Sequence, residues 1–185
     1  RLIRMESMGL DLISPDASKP WFETGSCITE VNSMPQIGAT SAKIYVETLF
    51  EDTNGSVPVH CYIGDADAMT QAKAHQAKRQ AAGVNTMLTS HDRTFDGQGA
   101  EVPYRAGGRL VERITALLSD TQTQALVVVL QDDELLLRGR PMLHVTSVTC
   151  VNESLRSFRD HDKSLPKARI DALFRLIEDG MDRQS

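Results

Sequence analysis

Asp11, Glu30 and Asn32 are the residues whose types and spacing could do chemistry. Glu30 and Asn32 are one residue apart, and on a β-strand alternate residues share a face. If the segment around Asp11 is the antiparallel neighbour of that strand, three oxygen-bearing side chains converge. Hard oxygen donors of this kind are what Mg²⁺ shared with nucleotide phosphates requires. Spacing alone favours a plainer reading, in which Asp11 and Glu30 are solvent-facing charges of a half-exposed hairpin, the usual place for carboxylates.

The elements that would position these residues are legible nearby. Leu10 to Ile13 is a short apolar segment, Ser14 to Pro20 is rich in turn formers, and Ser26 to Val31 is a second strand running into Asn32 and Pro35. Together they predict a β-loop-β unit. Ala42 to Phe50 has apolar spacing closer to helical than to alternating, and Asn54-Gly55 forces a turn, so a boundary is expected between Asp52 and Ser56. The stretch Arg1 to Gly9 reads as the last turns of an amphipathic helix capped by Gly9, which makes the chain an expected fragment of something longer.

Beyond residue 56 strand and helix signals alternate. Strands are expected over Val57–Ile63, Asn85–Thr89, Ala125–Leu130 and Val145–Val151, and helices over Ala66–Ala82, Arg109–Leu118 and Lys167–Gly180. Ala125–Leu130 is continuously apolar, as befits a strand buried on both faces of a parallel sheet. The alternation implies a three-layer, mostly parallel α/β arrangement.

Composition narrows the function classes. The 185 residues suffice for one domain, or for a fragment plus one domain. A formal net charge of −5, with no basic cluster beyond Lys78-Arg79, argues against nucleic acid as a partner. No run approaches the roughly 18 apolar residues of a membrane span. Cys27, Cys61 and Cys150 are odd in number and widely spaced, which predicts reduced, buried thiols in a cytoplasmic protein.

Gly9-Leu10-Asp11-Leu12-Ile13, then a Pro-bounded loop, then Cys27-Ile28-Thr29-Glu30-Val31-Asn32-Ser33-Met34-Pro35, resembles the closing strands of the ATP-grasp superfamily, most of all those of the cyanophycin synthetase type. Members often carry Gly soon after the proline, where this chain has Gln36, Ile37 and then Gly38. The resemblance implies that residues 1–51 are the C-terminal portion of an ATP-grasp domain, antiparallel strands plus a helix. It implies Asp11, Glu30 and Asn32 as Mg²⁺ ligands and ATP as a substrate of the complete enzyme. The reaction it implies joins a carboxylate to an amine, an amino acid or peptide, through an acylphosphate. The expected partners are the remainder of that domain and small carboxylate and amine substrates, with neither nucleic acid nor membrane, and with a homo-oligomer left open. The lysines and closing loop of such enzymes would lie upstream of Arg1, so this chain by itself is expected to be inactive and no residue is assigned a catalytic role.

Residues 57–185 are similar in layout to the Mur-ligase-like module that follows ATP-grasp in cyanophycin synthetases, but the chemistry is eroded. A phosphate loop needs glycines, a lysine and a hydroxyl. At Gly64-Asp65-Ala66-Asp67-Ala68-Met69-Thr70 one glycine remains, two carboxylates stand where phosphate would lie, and Ala68 or Met69 replaces lysine. Gln131 stands where the family's metal loop has glutamate. The expectation is a degenerate, P-loop-like α/β module. The reading from another class makes the chain a non-catalytic scaffold or oligomerisation domain.

Weaker motifs receive structural readings. Ser90-His91-Asp92 is a turn, since sequence neighbours on an extended chain point apart and cannot relay a proton. Asp132-Asp133-Glu134 is a solvated loop after a buried strand. His60, His75, His144 and His161 have packing or surface roles, and Trp21-Phe22 anchors a loop.

Overall fold

The computed structural model describes residues 9–32, 38–49, 56–103 and 109–181. It divides into two compact units, residues 1–55 and 56–185. The helix expected over Arg1 to Met8 lies outside the described residues, as do Ser33, Met34, Pro35, Gln36 and Ile37. Gly9 opens a strand instead of capping a helix.

In the first unit β1 (Gly9–Ile13) pairs antiparallel with β2 (Cys27–Asn32), and α1 (Ala39–Leu49) follows. The register places Leu10 opposite Val31, Asp11 opposite Glu30 and Leu12 opposite Ile28, so Thr29 is a bulge residue. A bulge adds one residue to one strand. It allows Ile28 and Val31, three positions apart, to share a face with Leu10 and Leu12. All four are exposed. The connecting loop is held by a Ser14, Thr24 and Ser26 hydroxyl cluster, while Trp21 and Phe22 meet edge to face at 6.0 Å. That pair is exposed, so it does not anchor the loop in a core.

The second unit runs β3 (Val59–Ile63), α2 (Ala66–Ala81), β4 (Thr86–Thr89), β5 (Thr94–Phe95), α3 (Leu110–Leu118), β6 (Ala125–Leu130), α4 (Glu134–Arg138), β7 (Ser147–Cys150), β8 (Arg156–Ser157), β9 (Asp160–Ser164) and α5 (Lys167–Glu178). Five strands form one sheet in the order β5-β4-β6-β3-β7, parallel except for the short antiparallel edge β5; β8 and β9 form a separate hairpin.

Every residue of β6 is buried. Leu126, Val128 and Leu130 join the larger core with Ile114 of α3, Leu135 of α4 and Leu173 of α5. Val127 and Val129 face the opposite way, onto Ala68 and Ala72 of α2 with Leu88 and Phe95. Helices therefore cover both faces, and the small Ala68 and Ala72 let α2 approach the sheet closely. A continuous apolar strand between two helical layers is the expected sequence signature of such a sheet.

The α2 helix starts where Asp65 takes the N-cap position and accepts the Asp67 N–H. It stops at Ala82 and Gly83, the latter with φ +80°. Positive φ at this site favours glycine, which lacks the Cβ that makes the left-handed region costly.

Candidate functional site

The hairpin brings the three implied ligands to one face. Asp11 and Glu30 are directly opposite Cα partners, and Asn32, two residues past Glu30 on the same strand, stands opposite Gly9. Directly opposed residues on one face hold their Cβ atoms about 4.5–5.5 Å apart, and a like-charge pair there is destabilising unless something offsets it. Both carboxylates are exposed and Asn32 is half-buried. The Thr29 hydroxyl donates to the Asp11 carbonyl oxygen at 3.1 Å, tying the bulge to the opposite strand beside the acid pair.

Two carboxylates and an amide oxygen on one open face are a donor set that fits a hard divalent cation retaining several waters. Among the described residues no cluster of three or more His, Cys, Asp or Glu side chains is placed to hold a metal. The hairpin set stands apart from that class because its third donor is an amide.

In the second unit the helices following β3 and β6 leave the sheet on opposite faces. The crevice at the carboxyl ends of such strands is where open α/β sheets place their ligands. Here the chain's own groups bond to one another at the carboxyl ends of β3 and β7. The Asn152 Nδ2 donates to Asp65 Oδ1 at 2.9 Å, and Asn152 Oδ1 accepts from the Asp65 and Ser154 N–H groups at 3.2 and 3.1 Å. The Gly64 N–H is committed to the Leu130 carbonyl at 3.1 Å. Hydrogen bonding to Asn152 and then to the Asp67 N–H holds the Asp65 carboxyl below its usual range.

The acidic run after β6 is buried, which corrects the solvated-loop expectation. Asp132, Asp133 and Glu134 are 3%, 2% and 0% exposed. Glu134 accepts from the Leu110 and Val111 N–H groups at 2.9 and 3.3 Å, so a residue from another element caps α3. Asp133 accepts the Phe158 N–H at 2.7 Å and pairs with Arg169 of α5. Asp132 Oδ1 accepts the Glu134 N–H at 2.8 Å, while its Oδ2 has no hydrogen-bond partner. Burial pushes the Asp132 carboxyl above its usual range, partly opposed by that backbone bond. These acids tie α3, the β8-β9 hairpin and α5 to the end of the central strand.

Ser90-His91-Asp92 forms a turn: Ser90 N–H donates to the Arg93 carbonyl at 2.8 Å and the Ser90 hydroxyl to Asp92 Oδ1 at 2.7 Å. No Ser-to-His hydrogen bond links the three residues. Of the cysteines only Cys61 is buried, its thiol pushed up to about 12 by that burial. Cys27 and Cys150 are exposed, because their strands lie in the open hairpin and at the sheet edge.

Sequence spacing gave no sign of a cluster between α2 and the sheet. The His60 and His75 rings lie 4.5 Å apart; His60 Nδ1 is 2.8 Å from the Ser147 hydroxyl, and His75 Nδ1 is 2.7 Å from the Tyr62 hydroxyl. Burial, followed by the neighbouring His75 and Arg79, lowers His60 to about 4. Beside this cluster is an open groove of about 410 Å³ lined by Tyr62, Gln71, Ala74, His75 and Lys78. Alternating β3 residues and one face of α2 reveal the cluster only when helix and sheet are superposed.

No helix among the described residues is long and apolar enough to cross a membrane. Compared with models of known protein families and with curated proteins, the chain matches none.

Proposed function

We propose that the chain is the C-terminal part of a cytoplasmic, ATP-dependent ligase that joins a carboxylate to an amine through an acylphosphate, with Asp11, Glu30 and Asn32 contributing the Mg²⁺ ligands. The observation that carries this reading is the register that sets Asp11 opposite Glu30 with Asn32 on the same face. Bound there, Mg²⁺ would neutralise charge on the transferring γ-phosphoryl group of ATP. The protein's own contribution is to hold two carboxylates and an amide in a fixed cross-strand arrangement, an entropic cost met by the paired backbone before any ligand arrives.

The reverse face of the hairpin supports the same reading. Leu10, Leu12, Ile28 and Val31 form an exposed apolar face, and burying such side chains is worth roughly 1.5–3 kcal/mol each. The remainder of an ATP-grasp domain is the proposed cover for it.

For the second unit we propose a degenerate Mur-ligase-like role without nucleotide chemistry. Asn152 and Asp65 bond to each other at the carboxyl ends of β7 and β3, and Asp65 and Asp67 present negative charge at the start of α2.

The test is an NMR titration of the 185-residue chain with MgCl₂. Saturable shifts at residues 9–11 and 30–32 are expected at millimolar concentration, weakened at least tenfold in Glu30→Gln. Absence of those shifts, or identical shifts in the variant, removes the metal site. ADP release by this chain alone, abolished by Glu30→Ala, would show that the catalytic machinery had been misplaced.

A further inference from the structure

Independently of the hairpin, we propose that the pocket between the β8-β9 hairpin and the start of α5 binds a small organic anion, one carrying a phosphate or carboxylate group on a short apolar stem. The cavity holds about 230 Å³ and is walled by Asp133, Ser157, Arg159, Lys163 and Arg169 on its polar side and by Leu137, Leu165 and Pro166 on its apolar side. Three cations thus face one carboxylate, in a protein whose net charge is −5.

Asp133 cannot neutralise that excess. Its Oδ1 accepts the Phe158 N–H and its Oδ2 pairs with Arg169, so both oxygens are committed in a residue 2% exposed. Arg169 is therefore held in place by a buried partner, while its Nε, itself buried, lacks a hydrogen-bond partner. Lys163 pairs with Asp160 at 2.7 Å, an exposed i,i+3 contact of the kind worth little in water. Among the described residues no ion pair engages Arg159.

An oxyanion placed between Arg159, Lys163 and Arg169 would receive charge-assisted hydrogen bonds, which are roughly twice as strong as neutral ones. Ser157 and Ser164 also line the pocket, and their hydroxyls are of a type that can donate to an oxyanion. The volume is below the roughly 300–1,000 Å³ usual for drug-sized ligands, so the occupant is a compact metabolite-sized anion and not a nucleotide. Leu165 and Pro166 give its stem an apolar surface.

The experiment is a two-probe titration of the full chain, with inorganic phosphate and with glutarate, followed by amide NMR shifts. At least one probe should shift Ser157 to Arg169 saturably, and the probe that binds more tightly identifies the anion class. Arg159→Gln, which breaks no observed ion pair, should weaken binding by about tenfold, and Arg159→Gln with Lys163→Gln by about a hundredfold, one decade per lost charge contact of roughly 1.4 kcal/mol. Retained amide dispersion in both variants separates lost binding from lost folding. Unsaturable shifts with both probes, or equal affinity in the variants, would overturn the proposal.

Discussion

Asn152 and Asp65 hydrogen-bond to each other twice across the carboxyl ends of β7 and β3, side chain to side chain at 2.9 Å and backbone N–H to amide oxygen at 3.2 Å. Asn152→Ala would leave the Asp65 and Ser154 N–H groups without this acceptor, at a cost of about 1–3 kcal/mol. Gly64→Ala should also destabilise: φ there is +144°, and a Cβ would lie 2.8 Å from Asn152 Oδ1. Urea unfolding of the two single variants and the double variant checks both. The double variant should be less destabilised than the sum of the singles, since removing the amide makes room for the new methyl. Strict additivity would mean the close approach is unimportant.

Glu134→Ala is expected to cost about 2–4 kcal/mol, because the α3 N–H groups of Leu110, buried, and Val111, half-buried, would lose their acceptor. Glu134→Gln keeps an acceptor oxygen and should cost less. Hydrogen exchange at Leu110 and Val111 provides the local readout, with protection lost in the alanine variant first.

Asp132 makes the opposite prediction in its pH dependence. Its folded-state carboxyl lies above the unfolded value of 3.8, so the native state disfavours the charge. Stability contributed by this group is present at low pH and is lost as pH rises from about 3.8 through the raised folded value. The stability of Asp132→Asn relative to the parent should therefore climb across that window and level off above it. A flat difference between pH 3.5 and 8 would show that Asp132 carries no such penalty.

His60 titrates in the other sense. The folded value near 4 lies below the ordinary 6.5, so the unfolded chain takes up a proton that the native state refuses. Stability should be level above pH 6.5 and fall as pH drops towards 4, with His75, also lowered by burial, adding to the slope. In His60→Gln the slope between pH 4 and 6.5 should be shallower, as measured by denaturant midpoints at a series of pH values.

The second unit's elements were legible where one residue pattern decided the outcome. Ala125–Leu130 is a strand with the boundaries its apolar run indicates, and α2 and α5 lie within the spans expected for them. The acidic run after β6 misled because a sequence displays the charges and not the N–H groups that meet them. Those donors belong to residues 110, 111 and 158, far along the chain. The hairpin β8-β9 went unread because its strands are short and polar, and Arg156 and Ser157 carry no alternation to detect. At the candidate metal face, Glu30 and Asn32 show their shared side by spacing alone. The bulge at Thr29 does not, since only the register of β1 against β2 reveals it.

The place of β3 between the central strand β6 and the edge strand β7 has a consequence for how the chain acquires its fold. Its two neighbours are β6, residues 125–130, and β7, whose Ser147 meets His60 across 87 residues. The first sheet strand of this unit to be synthesised is thus the one whose partners are all made late, and β4, next in sequence, docks on β6 instead. During translation β3 and α2 must wait with Cys61 and Ile63 uncovered, and the sheet can close only once β6 supplies a rail for both β3 and β4. Sequence-distant pairing of this kind slows folding and lengthens the exposure of apolar strands. A strand buried at four of its five positions is thus made before either of the strands that pair with it.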